Sequence, residues 1–95
     1  MATKTEEPSW TFLSNHGHVL ICLARNPDSV LRHVAQEVGI TERAVQRIVS
    51  ELEEAGYLEK KKDGRQNHYE LRLNRPLRHP VERNCKVREL VDLIK

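Results

Sequence analysis

Ninety-five residues, 32% of them charged and 38% apolar, build one small domain around a thin core and leave no room for a multidomain machine. No apolar run approaches the roughly 18 residues of a membrane span, and the opening MATKTEEPS lacks an apolar signal-peptide core, so a cytoplasmic chain is expected. Two cysteines, Cys22 and Cys85, form no disulfide framework and suit a reducing compartment, while the net charge of +2 conceals a lopsided distribution. From Asn26 to Glu59 three bases face seven acids; from Lys60 to Arg88 ten bases face three acids. A chain divided this way presents one basic surface, suited to a polyanion.

Residues 1–9 are polar and aperiodic and read as a disordered arm. Trp10, Phe12 and Leu13 follow. Val19, Leu20, Leu23 and Ala24 then recur at helical spacing, with Ser14 or Asn15 as cap and Asn26-Pro27 as the stop. Asp28 and Ser29 are expected to cap a second helix whose apolar stripe is Leu31, Val34, Ala35 and Val38, closed by Gly39. Thr41 caps a third, with Ala44, Val45, Ile48, Val49 and Leu52 inside and Glu42, Arg43, Gln46, Arg47 and Ser50 outside; Gly56 ends it. The period then switches to two. One strand runs from Leu58 to about Lys62, another carries Tyr69, Leu71 and Leu73, and Asp63-Gly64 is the hairpin-turn signal between them. Residues 74–84, with Pro76 and Pro80, read as an extended crossing. Val87, Leu90, Val91 and Ile94 mark a last amphipathic helix within residues 85–95.

Leu31 to Leu52 is the informative stretch. Two helices that meet at a wide angle across a tight turn need a small residue at their crossing, here Ala35. They also need a glycine in the turn (Gly39), an apolar plug (Ile40) and apolar inner faces, which Val34, Val38, Ala44, Val45 and Ile48 provide. Eight positions at fixed spacing meet the requirement of a helix-turn-helix. Three helices followed by Gly56-Tyr57-Leu58 and a basic hairpin complete the order helix, helix, helix, strand, strand.

On these residues Leu31 to Leu73 resembles the winged helix-turn-helix family. The phrase ITERAVQRIVSELEEAGYLEKKKDGRQNHYEL is similar to small bacterial and archaeal transcriptional regulators of the MarR and ArsR type. The resemblance implies a mainly α fold with a small β-hairpin (α+β): a three-helix core, a two-stranded wing and a C-terminal helix, the winged domain covering residues 10–73. It implies a double-stranded DNA-binding transcriptional regulator, nucleoid-associated and not an enzyme. Residues 41–55 would form the recognition helix in the major groove and residues 58–73 the wing on the backbone or minor groove.

Within that expectation Arg43 and Arg47 lie one turn apart with Gln46 between them. Arginine forks onto guanine and glutamine pairs with adenine. Thr41 and Ser50 suit phosphate contacts. Glu42 either complements the helix dipole or accepts from a cytosine amine. Glu51, Glu53 and Glu54 would be repelled by phosphates, so that end of the helix is expected to point away from DNA. On the wing, Lys60, Lys61, Lys62, Arg65 and Asn67 are the candidate contacts, with Arg65 at the tip suited to a narrow minor groove. Arg72, Arg75 and Arg78 extend the basic run as candidate backbone contacts.

The last helix, with Trp10, Phe12, Val87, Leu90, Val91 and Ile94, is expected to form a homodimer seam that sets two recognition helices about one DNA turn apart. The rival reading is a winged-helix protein-interaction or assembly module without specific DNA binding. An effector-gated sensor would need a ligand cavity, placed at the dimer seam beside Trp10, and no effector can be named. Five histidines (His16, His18, His33, His68, His79) and two cysteines lack the close thiolate pairs of ArsR-type metal sensors, so neither metal nor cofactor is expected. No nucleophile elbow or Gly-rich phosphate loop accompanies the Ser, His and Asp residues.

Overall fold

The computed structural model describes residues 8–94; residues 1–7, most of the expected arm, and Lys95 lie outside the described residues. The order is α1 (Asn15–Arg25), α2 (Leu31–Val38), α3 (Glu42–Glu54), β1 (Leu58–Asp63), β2 (Gln66–Leu71) and α4 (Val87–Ile94). The expected architecture, mainly α with one antiparallel hairpin, is the one found.

Helix α1 is the central post. Ser14 caps it by accepting from the Gly17 N–H, and Val19 through Leu23 are buried without a break. Helical spacing alone picks out one stripe, but here α2, α3, β2 and α4 all pack around the post, so Ile21 and Cys22 are covered as well. One core cluster joins Val19, Cys22 and Leu23 to Val34 and Ala35 of α2, Val45, Ile48 and Val49 of α3, and Leu58 and Tyr69 of the hairpin. A second joins Leu20, Tyr57 and Val87. Among the described residues no polar or charged side chain is buried.

The turn between α2 and α3 follows from its residues. Gly39 adopts φ +88°, a left-handed conformation that costs a side-chain-bearing residue more, and its N–H and that of Ile40 both donate to the Ala35 carbonyl, at 2.8 and 3.1 Å. Ala35 is buried at the crossing, and Ile40 packs against the core. Thr41 then caps α3 by accepting from the Ala44 N–H at 3.0 Å. At the far end Gly56 (φ +87°) reverses the chain, and the Tyr57 N–H reaches back to the Leu52 carbonyl at 2.9 Å.

Three local expectations are corrected. Neither Asp28 nor Ser29 caps α2: its N-cap is Val30, with no side-chain bond, because the Asp28 carboxylate is engaged by His68 Nδ1 at 2.7 Å. The hairpin turn is centred one residue later than Asp63-Gly64. Asp63 pairs with Gln66, leaving Gly64 (φ +66°) and Arg65 as the two loop residues, Gly-first as in a type II′ turn. Residues 74–84 are not an extended crossing. They fold into consecutive turns closed at the base by a Pro76–Lys86 bridge, the Leu77 N–H donating to Cys85 O and the Val87 N–H to Arg75 O, both at 2.9 Å. The prolines shape this closed loop.

Register explains the hairpin's charges. Glu59 lies opposite Glu70, a like-charged pair, and each is compensated diagonally: Glu70 by Lys61 at 3.3 Å, Glu59 by Arg72. Leu58, Lys60 and Lys62 share one face with Tyr69 and Leu71, so the hairpin is apolar at its base and charged toward its tip. Two contacts fasten that base to the α1–α2 loop, the His68–Asp28 pair and the bond from the Tyr69 N–H to the Pro27 carbonyl at 2.9 Å.

Candidate nucleic-acid interface

Amphipathic periodicity buries Val45, Ile48 and Val49 of α3 and thereby turns Glu42, Arg43, Gln46, Arg47 and Ser50 outward. All five are exposed, as is the capping Thr41. Arg47 has an acid one turn later, Glu51, which would be its natural helix partner. Glu51 instead accepts from His16 Nε2 of α1 at 2.6 Å. Among the described residues neither Arg43 nor Arg47 has an ion-pair or hydrogen-bond partner, so both guanidinium groups keep their full complement of donors.

Glu53 is also engaged within the fold, accepting from the Lys60 backbone N–H at 3.4 Å and linking α3 to β1. Two of the three acids at the far end of α3 are thus engaged by the chain itself, and the half near the turn presents the basic and amide groups.

The hairpin sorts its cations the same way. Lys60, Lys62 and Arg65 are exposed and carry no side-chain partner, whereas Lys61 is paired with Glu70 and Asn67 is half-buried. Of the arginines that follow, Arg72 is held by Glu59. Arg75 donates to the Ala55 carbonyl at 3.1 Å and lies 5.1 Å over the Tyr57 ring. Those two are engaged by the chain itself.

The sequence of the family described as "Winged helix-turn-helix DNA-binding" matches residues 14–59, the span from the α1 cap to the start of the hairpin. The chain has the winged helix-turn-helix fold. Its α3 occupies the place of the recognition helix and its hairpin that of the wing.

Solved structures agree on this fold. The PcaV transcriptional regulator from Streptomyces coelicolor, solved with its natural ligand, is 31% identical with a TM-score of 0.54, over 62% of this chain and 44% of that one. ZitR of Lactococcus lactis, a zinc-responsive MarR family member, matches at 24% identity and TM-score 0.51, over 68% of this chain and 46% of its own. Wild-type ZitR in complex with DNA matches at 22% and 0.54, over 75% and 50%. The winged-helix chain thus spans half or less of the length of these regulators. No curated protein matches its sequence.

Around the other end of the winged helix, the expected seam residues divide. Val87 is 1% exposed and sits in this chain's own core against Leu20 and Tyr57, so it cannot serve a partner; Val91 packs on the same cluster. Leu90 is half-buried and Ile94 exposed. Trp10 and Phe12 stack edge-to-face with ring centroids 5.0 Å apart and remain 67% and 93% exposed, and Leu93, outside the expected seam, is 79% exposed.

An open groove of about 1060 Å³ runs beside these residues, between the start of α1, the end of α3, the 76–86 loop and α4. Leu20, Leu52, Tyr57 and Leu77 are among its apolar lining residues, and His16, Glu51, Glu54, His79 and Glu82 among its polar ones. The sequence places a cavity only at a dimer seam beside Trp10. The groove exists within one chain because the 76–86 loop folds back, which periodicity does not reveal. Among the described residues no three His, Cys, Asp or Glu are grouped to hold a metal, and no helix is long and apolar enough to cross a membrane.

Proposed function

We propose that this protein binds duplex DNA with sequence preference and regulates transcription. The observation that carries the reading is the unpartnered pair Arg43 and Arg47 with Gln46 between them on the outer face of α3, while the acid within reach of Arg47 is held by His16. Two free guanidinium groups one turn apart offer bidentate contacts to guanine, and Gln46 offers the matching contact to adenine. Thr41 and Ser50 flank them toward phosphates, and Glu42 stands at the helix start. Lys60, Lys62 and Arg65 of the wing supply the sequence-independent grip, with Lys61 and Asn67 in lesser roles.

The protein acts as a homodimer in this reading, its seam built from Trp10, Phe12, Leu90, Val91, Ile94 and Leu93, with Val87 inside each protomer's core. The exposure of Trp10, Phe12 and Leu93 together supports it, since a partner would remove these groups from water. A two-fold pair of recognition helices would read a near-palindromic site. PcaV is a transcriptional regulator and ZitR has been solved in complex with DNA, and their shared fold supports a DNA-binding reading. Selection of bound duplexes from a random pool, followed by fluorescence-anisotropy titration on the winner and a scrambled control, tests it. A preferred sequence whose affinity falls steeply with salt is the expected result; no binding even at low salt would leave an assembly module as the answer.

A further inference from the structure

We propose that Arg75 is a positioning residue for DNA binding: it clamps the end of the recognition helix to the root of the wing and so sets the angle between the two reading elements. This inference rests on the DNA-binding reading above. Its basis is that four elements converge on one residue. The Arg75 guanidinium donates to the carbonyl of Ala55, the residue that ends α3, and sits over the Tyr57 ring with Cζ 5.1 Å from its centroid. It also fills the space beside Gly56, where an added Cβ would come within 3.6 Å of it. The backbone completes the junction. The Arg75 N–H donates to Arg72 O just past β2, and the Arg75 carbonyl accepts from the Val87 N–H at the start of α4. Tyr57 is anchored from its other end, its hydroxyl donating to Pro76 O at 2.7 Å and its carbonyl accepting from the Arg72 N–H at 2.9 Å.

The chemistry suits a clamp. A cation at a helix C-terminus is favoured by the helix dipole, a planar guanidinium stacks on an aromatic face, and its fork satisfies a carbonyl left open by the ending helix. A recognition helix and wing that must engage one duplex together bind best when their relative angle is preset. Loosening that angle lowers the competent fraction and weakens the apparent affinity in proportion.

The test compares wild type, Arg75→Lys and Arg75→Gln by anisotropy titration across salt concentrations, on the selected duplex and its scrambled control, beside thermal unfolding of each protein. The expected result is about a tenfold loss on the selected duplex for both variants, the salt slope staying at the wild-type value because no phosphate contact is removed. Arg75→Lys keeps the charge and a donor, so it remains informative if Arg75→Gln unfolds. A lysine variant that binds like wild type, or a glutamine variant whose slope drops by about one, would make Arg75 a direct phosphate contact and overturn the proposal. A lowered melting temperature with unchanged affinity would overturn it too, leaving Arg75 a structural residue only. Absence of wild-type binding to any duplex would remove the DNA-binding reading, and this inference with it.

Discussion

His16 on α1 holds Glu51 of α3 at 2.6 Å, thirty-five residues along the chain, and in doing so takes away the acid that Arg47 would otherwise pair with. The pair is half-exposed on both sides and contributes little stability by itself. Its consequence lies one turn back along α3, where Arg47 stays free to meet an external partner.

Truncation of Arg47 to alanine is therefore expected to leave folding nearly unchanged and to cost about 1 to 3 kcal/mol of affinity on the selected duplex, with relaxed preference at one base position. Arg43→Ala should behave alike at a neighbouring position. Titration against single-base variants of the site reads both. Equal losses on every variant would reassign these arginines to the backbone.

On the wing, Lys62→Ala is expected to weaken all duplexes similarly and to lower the slope of log affinity against log salt by about one. Lys61→Ala should do less, because the Lys61 ammonium already neutralises Glu70 at 3.3 Å. Identical slopes for the two variants would show that the Glu70 pair does not persist in solution.

The second core cluster separates folding from assembly. Val87→Asp places a charge among Leu20 and Tyr57 and should lower the melting temperature at every protein concentration. Leu93→Asp, on an exposed position, should leave the protomer's fold intact and shift sedimentation toward the monomer. A Leu93→Asp protein that stays dimeric would remove Leu93 from the seam.

Burial pushes the Cys22 thiol up from 9.0 to about 11, with the Glu37 carboxylate adding to the rise and Arg25 opposing it. Burial likewise raises Tyr69 above its usual 10.0. Both groups fold in their neutral forms, so their contribution is fully present below pH 9. It is lost as the unfolded thiol ionises ahead of the folded one, between pH 9 and about 11. Denaturant midpoints should thus fall across that window, and Cys22→Ala should flatten the fall. At pH 8, iodoacetamide should label Cys85, which is only half-buried, well before Cys22. Equal labelling rates would show that the Cys22 pocket opens freely.

Much of the domain was legible from local patterns. The helices follow from apolar residues at 3.6 spacing, Thr41 and Ser14 as caps, Pro27 as a stop, and Gly39 and Gly56 at the positive-φ positions that close α2 and α3; each of these acts within a few residues along the chain. The same periodicity named Arg43, Gln46 and Arg47 as the outward residues of α3, because burying Val45 and Ile48 leaves them nowhere else to go. Where local signals compete, the sequence alone misleads. Asp28 looks like a cap until His68 claims it, and Asp63-Gly64 looks like the turn centre until the pairing of Asp63 with Gln66 moves it by one residue.

What only the tertiary structure decided is which charged groups are already engaged. Arg43, Arg47, Arg72 and Arg75 are chemically identical in the sequence, yet two face water while Glu59 and the Tyr57–Ala55 junction hold the others. The same holds for Val87, whose helical stripe is compatible with either a partner or its own core until the 76–86 loop turns back and seats it against Leu20. Caps and periods are short-range properties, set by neighbours within one turn. The pairs His16–Glu51, Asp28–His68 and Glu59–Arg72 join residues 13 to 40 positions apart, the Leu20–Val87 contact joins residues farther apart still, and the chain acquires them only when its elements meet.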